Sequence, residues 1–219
     1  MRPADISSLG FTLVVFTACA STSVRSEPAP RAGPTTVQPG APGESSRTLE
    51  SSALLDVQEV GYSAADVRFM QGMIYHHAQA LDMTALVKER TPDAGFRRLA
   101  LRMEISQRDE IQLMSRWLDT RAESVPAVGM HVSRDGPMMP GMLSPEQMDR
   151  LRAASGVQFE RLFLEFMIQH HEGAIYMVRE LFGSQGGGQE SEVFQFATDV
   201  DVDQRMEIER MRGMLQERR

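Results

Sequence analysis

Met73-Ile-Tyr-His-His-Ala-Gln-Ala-Leu-Asp-Met83 and Met167-Ile-Gln-His-His-Glu-Gly-Ala-Ile-Tyr-Met177 are two copies of one pattern, Met-Ile-x-His-His-x-x-Ala-[Leu/Ile]-x-Met. The offset of 94 residues that places His76 on His170 also places Phe69 on Phe163. A second offset, of 97 residues, aligns Ile105-Ser-Gln-Arg-Asp-Glu-Ile-Gln-Leu-Met114 with Val202-Asp-Gln-Arg-Met-Glu-Ile-Glu-Arg-Met211. Each half of this region is therefore a pair of matched segments.

All four segments space their apolar residues as helices do, with Ile105, Ile111, Met114 and Leu118 expected on one face. Ser63-Ala-Ala-Asp66 has the form of a capping box. Thr91-Pro-Asp-Ala-Gly95 and Gly183-Ser-Gln-Gly-Gly-Gly188 each break a segment pair into two. The repeating unit is thus a helical hairpin. A hairpin alone leaves its apolar stripe in water, so the two halves are expected to pack face to face as an all-α, antiparallel four-helix bundle with approximate twofold symmetry. We assign the bundle to residues 56–219, with hairpins over 62–120 and 156–218 and a Met-rich connector over 121–155. Ser144-Pro-Glu-Gln147 starts a short helix in that connector.

The rest of the 219-residue chain reads differently. Residues 6–18 form an apolar run too short to span a bilayer but suited to a signal peptide, and Phe16-Thr-Ala-Cys19 has the form of a lipobox. We expect a leader over 1–19, lipidation at Cys19, an extracytoplasmic location in the periplasm or envelope, and no membrane contact beyond that anchor. Residues 20–55 are rich in Pro, Ser, Ala and Gly, with too few large apolar side chains to fold, and are expected to be a disordered tether. A net charge of -7 lacks the basic footprint that nucleic acid requires. Cys19 is the single cysteine, so the bundle has neither a disulfide nor a thiolate site.

The sixteen methionines and five histidines carry the chemistry. Thioether is a soft ligand and imidazole a borderline one. A mixed set favours copper, as Cu(I) or Cu(II), with silver as a mimic; zinc seldom takes Met and usually recruits Cys. On a helical wheel Asp66, Met70, Met73 and His77 share an inner line, while His76 and Met83 form a second line about 90 degrees away. Met167 with His171, and His170 with Met177, repeat the arrangement. The outer pairs read as the more exposed and as exchangeable copper ligands. The inner His77 and His171 read equally as core histidines held by Gln107, Glu110, Gln204 or Glu207, which with Asp66 are the candidate orienting residues. Met130, His131, Met138, Met139 and Met142 lack helical period and make the connector a candidate site of copper uptake. Met103, Met114, Met206, Met211 and Met214 are assigned to packing.

Three functions stay open at this level. The first is an extracytoplasmic copper buffer, chaperone or resistance factor, with the metal ion and other copper-handling proteins as partners. The second is a di-metal oxidase using Glu110, Glu207, His77 and His171, although no Glu-x-x-His is present. The third is a structural lipoprotein whose histidines only order the core.

At Phe69-Met-Gln-Gly-Met-Ile-Tyr-His-His-Ala-Gln-Ala80, Met139-Pro-Gly-Met142 and Phe166-Met-Ile-Gln-His-His-Glu-Gly-Ala-Ile175 the sequence resembles the bacterial family numbered 305 among domains of unknown function, over roughly residues 58–217. The resemblance implies a ferritin-like four-helix bundle and export, with some members binding periplasmic copper in metal resistance. Met103 stands where the family more usually has a small residue, and this connector has one histidine.

Overall fold

A computed structural model describes residues 36–38, 47–49, 61–127 and 138–218. The chain divides into two compact units, Met1–Val57 and Gln58–Arg219. In the first, β1 (Thr36–Gln38) pairs antiparallel with β2 (Arg47–Leu49), Thr36 opposite Leu49 and Gln38 opposite Arg47. The rest of the expected tether over 20–55 lies outside the described residues. β-branched Thr36, Val37 and Thr48 favour extended backbone. A composition argument looks only for core-forming residues and does not register so short a ribbon.

The second unit is all-α. Its elements are α1 (Ala64–Ala85), the single turn α2 (Val87–Arg90), α3 (Ala94–Thr120), α4 (Pro145–Ala153), α5 (Gly156–Gly183) and α6 (Ser191–Gln216). The sequence signals fall at the ends where they were read. Ser63 Oγ accepts from the Asp66 N–H while the Asp66 carboxylate accepts from the Ser63 N–H, closing the box that starts α1. Ser144 and Gln147 make the same reciprocal pair at α4, with Pro145 in the first turn. α3 is capped by Asp93, and α6 by Glu190, whose carboxylate accepts from both the Val193 N–H and Trp117 Nε1.

α1 packs on α3 and α5 on α6 within the hairpins, and α1 against α5 joins the halves. The core has two parts. One gathers Phe96, Phe159 and Phe163 with Met83, Met103, Met167 and Met211; the other gathers Phe69, Trp117 and Phe196 with Met70, Met73, Met114 and Met177. Along α1 the first part takes over from the second at the His76-His77 step. The buried stripe of α3 runs through Phe96, Leu99, Met103, Gln107, Met114 and Trp117. Ile105 is 53% exposed and Met206 60%, so neither packs as the sequence reading expected. The stripe is centred instead on the polar Gln107, which a count of apolar residues passes over.

Two acidic residues at equivalent positions cross-link the hairpins. Asp66 accepts from the Gly188 N–H in the α5–α6 loop, and Glu160 accepts from Thr91 Oγ1 in the loop before α3. Glu160 also takes Arg218 Nε at 2.7 Å, and Arg218 Nη2 continues to Asp93 at 3.0 Å.

The described part of the connector lies against α5 as a strap. Gly141 adopts φ +77, and a Cβ on Gly173 would sit 2.0 Å from the Pro140 carbonyl oxygen, so glycine is required at that contact. Gln79 binds Leu143 through both ends of its amide, donating to its carbonyl at 3.0 Å and accepting from its N–H at 2.6 Å. Gln169 Nε2 donates to the Gly141 carbonyl.

Candidate metal centre

α1 delivers His76 and His77, and α5 delivers His170 and His171, to one place between the two halves of the core. The rings of His76 and His170 stack at 3.7 Å between centroids with 35° between planes, and each lies 6.2 Å from its own sequence neighbour. His76 Nε2 lies 3.1 Å from the Pro140 carbonyl, and His170 Nε2 lies 3.0 Å from the carbonyl of His76; each imidazole N–H donates. Burial holds both rings well below the usual histidine range, and the neighbouring imidazoles push in the same direction. They are neutral at ordinary pH.

The wheel made His76 and His170 the exposed pair, and this is corrected: they are 1% and 0% exposed. A single wheel assumes one packing direction. Here each of α1 and α5 has two, towards its hairpin partner and towards the other, so the flank that looked outward is the interface.

His77 and His171 face the partner helices. His77 Nε2 is 2.5 Å from Glu110 Oε2 and His171 Nε2 is 2.6 Å from Glu207 Oε2. Burial raises the Glu110 carboxyl, but its interaction and hydrogen bond with His77 and the hydrogen bond from Ser106 outweigh that and hold it below its ordinary range. A carboxylate accepts only, so it selects the tautomer with hydrogen on Nε2 and leaves a lone pair on Nδ1. Both Nδ1 atoms are buried without a hydrogen-bond partner, as is that of His170. Burying a polar atom unpaired costs about 1 to 3 kcal/mol. A ligand for that lone pair removes the penalty.

Met73 lies four residues before His77 and Met167 four before His171, a spacing that stacks side chains on one helical face. Met73, Met83 and Met167 are fully buried and Met177 is 7% exposed. Because α1 and α5 run antiparallel, the two methionines of one motif copy separate: Met73 clusters with Met177, and Met83 with Met167. Met139 joins the Met73 and Met177 cluster. Its sulfur and the Met177 methyl lie 3.1 and 3.3 Å from where a Gly72 Cβ would stand. Met142 is buried and its sulfur accepts from the Met139 N–H, whereas Met138 is 54% exposed. Met130, His131 and Cys19 lie outside the described residues.

The candidate orienting residues divide. Gln107 and Gln204 are buried and, with Glu110 and Glu207, line a groove of about 530 Å³ between α3 and α6. Asp66 stands ten residues before His76, roughly 15 Å along the helix, with its carboxylate engaged by Ser63 and Gly188. Two residues at this place had no role in the sequence reading. Ser106 donates to Glu110 Oε1, and Asp203, raised from its ordinary range by burial and then by the charges of Glu110 and Glu207, lines the same groove. The 97-residue offset already aligned Ser106 with Asp203, one residue before each matched glutamine, and that register was the available signal. Among the described residues no three His, Cys, Asp or Glu side chains converge on a metal position.

The model for the domain of unknown function DUF305 matches residues 66–215. A DUF305 fragment from Deinococcus radiodurans is 32% identical, with 71% of this chain and 98% of that one aligned at a TM-score of 0.61. A DUF305 protein of Streptomyces coelicolor, named as secreted, is also 32% identical, over 70% of this chain and 93% of that one at 0.59. CopM, solved in a Cu(II)-bound form, is 26% identical over 69% of this chain and 96% of its own at 0.54, and its Cu(I)-bound and silver-bound forms align similarly. Protein L153 of Acanthamoeba polyphaga mimivirus is 39% identical over 56 residues, 26% of this chain and 37% of that protein. With the family model covering nearly the whole bundle, and solved members sharing its helical fold, this chain belongs to the DUF305 family.

Proposed function

We propose that the protein binds copper outside the cytoplasm, as a buffer, chaperone or resistance factor that holds Cu(I) and Cu(II) on Met and His side chains, with other copper-handling proteins as its exchange partners. The observation that carries this reading is the pair of buried, unpartnered Nδ1 lone pairs on His77 and His171, each fixed by a glutamate and each one helical turn from a buried thioether, Met73 or Met167. A buried nitrogen donor with a thioether one helical turn away suits a soft ion. The Met83, Met177, His76 and His170 side chains border these positions. The strap methionines Met138, Met139 and Met142, with Met130 and His131, supply a route for the ion from solvent. The CopM structures with copper and silver support the choice of metal. The apolar leader and Cys19 support an envelope location with a lipid anchor.

Calorimetric titration with Cu(I), Cu(II) and Ag(I) tests the reading. Met73→Leu/Met167→Leu conserves volume, so it is expected to keep the fold to within about 1.5 kcal/mol while losing Cu(I) and Ag(I) affinity. Full affinity in the variant with alanine at His76, His77, His170 and His171 would overturn the ligand assignment. Catalytic dioxygen consumption by iron-loaded protein would favour the oxidase.

A further inference from the structure

The groove between α3 and α6 has donors of a different kind. Gln107 and Gln204 are 2% and 3% exposed, they line the groove from opposite walls, and the Oε1 atom of each is buried without a hydrogen-bond partner. Two unpaired carbonyl-type oxygens at matched positions on facing helices are a twofold-related acceptor pair. Beside them, one helical turn on, stand Glu110 and Glu207. Asp203 carries a further carboxylate on the α6 wall, and Arg102 and Arg210 line the groove as counter-charges. Every unpaired buried atom on this wall is an oxygen that accepts. No thioether is buried there: Met206, on the same groove, is 60% exposed.

We propose that this groove is a second cation site, for a hard divalent ion, with Gln107 Oε1 and Gln204 Oε1 as inner ligands and the Glu110 and Glu207 carboxylates completing an oxygen set. Carboxamide and carboxylate oxygens suit calcium- or manganese-class ions and do not compete for Cu(I), which prefers sulfur and imidazole. Two carboxylates and two carboxamides leave positions for water, which such ions retain readily. The site is distinct from the Met/His positions in donors and in place, because it lies on the α3–α6 side of the glutamates whereas the imidazoles lie on the α1–α5 side. Glu110 and Glu207 belong to both surroundings, each with one oxygen on an imidazole, and the second oxygen of Glu110 also accepts from Ser106 Oγ. The proposal stands whether or not the Met/His positions bind copper.

The test uses the full chain with its soft sites filled by Ag(I), which is diamagnetic. Mn2+ is added, and the loss of the free-ion signal in electron paramagnetic resonance reports uptake. The expected result is a single Mn2+ per chain, displaced by Ca2+. Gln107→Leu/Gln204→Leu removes both acceptors without altering charge and is expected to weaken Mn2+ binding at least about tenfold, with helical circular dichroism unchanged. Gln204→Glu keeps an oxygen and adds charge, so it is expected to tighten Mn2+ binding. Met73→Leu/Met167→Leu should bind Mn2+ as wild type does even where Ag(I) uptake is lost. The proposal is overturned by an absence of Mn2+ uptake in wild type, by equal uptake in all three glutamine forms, or by loss of Mn2+ with the methionines.

Discussion

Glu110 and Glu207 decide which nitrogen of His77 and His171 is left to react. With the glutamate in place the Nε2–H is committed and Nδ1 has its lone pair; without the negative charge the tautomer is no longer selected and the imidazole is a weaker donor. Glu110→Gln/Glu207→Gln preserves the shape and a carbonyl acceptor. It is expected to reduce copper affinity by about 10- to 100-fold while leaving the melting temperature near that of wild type. Calorimetry and thermal melting on the same samples check this, and unchanged affinity would mean that the glutamates are structural only. Both glutamates were candidates in the sequence alongside Gln107 and Gln204, which share their helical stripes, but which of the four meets each imidazole was not legible there. The acceptor of His76 was not legible. It is a main-chain carbonyl at Pro140, 64 residues away, and nothing in the identity of a proline announces its carbonyl as a partner.

Helix ends are where short-range signals and long-range closure meet. Ser63 and Ser144 cap as their sequence context predicts, because a cap requires only residues within one turn. The same Asp66 and Glu160 that lie near these ends also reach the opposite hairpin, and those bonds span 122 and 69 residues. Spacing cannot show them. Asp66→Ala removes the return half of the capping box and the Gly188 contact together. The expected loss is about 1 to 3 kcal/mol, read as a lower denaturation midpoint with an unchanged slope. A change below a few tenths would show that the α5–α6 loop is held by other contacts. The stripe of α3 shows the limit of periodicity. Ile105 stands six residues from Ile111, about 120° away around a helix, so it faces solvent, while Gln107, four residues before Ile111 and seven before Met114, points into the bundle.

For the molecule as a whole, the neutral His76 and His170 link stability to pH. Burial holds both well below the free value of about 6.5, so below that pH the unfolded chain takes up protons that the folded chain refuses. Stability is therefore full above about pH 6.5 and falls as the pH drops towards the depressed folded-state values. The slope approaches about 1.4 kcal/mol per pH unit for each histidine. Melting of copper-free protein at pH 7.5 and 5.5 checks this, with the lower temperature expected in acid; a flat profile would contradict neutral burial. The bundle itself was readable because duplication doubles every signal. The burial of the central pair was not, since it depends on how two hairpins cross.

That duplication is no longer interchangeable. The 94-residue register sets Gln79 opposite Gly173, and the two have taken opposite tasks at the strap: one offers an amide for Leu143 to pair with, the other leaves a gap narrow enough for the Pro140 carbonyl. A chain made by copying the first hairpin twice would carry a glutamine side chain where the strap must pass. A chain made from two second hairpins would have no amide to hold it. The single connector has thus turned a tandem repeat into two specialised halves, and recombination between them is closed off by one missing methyl group.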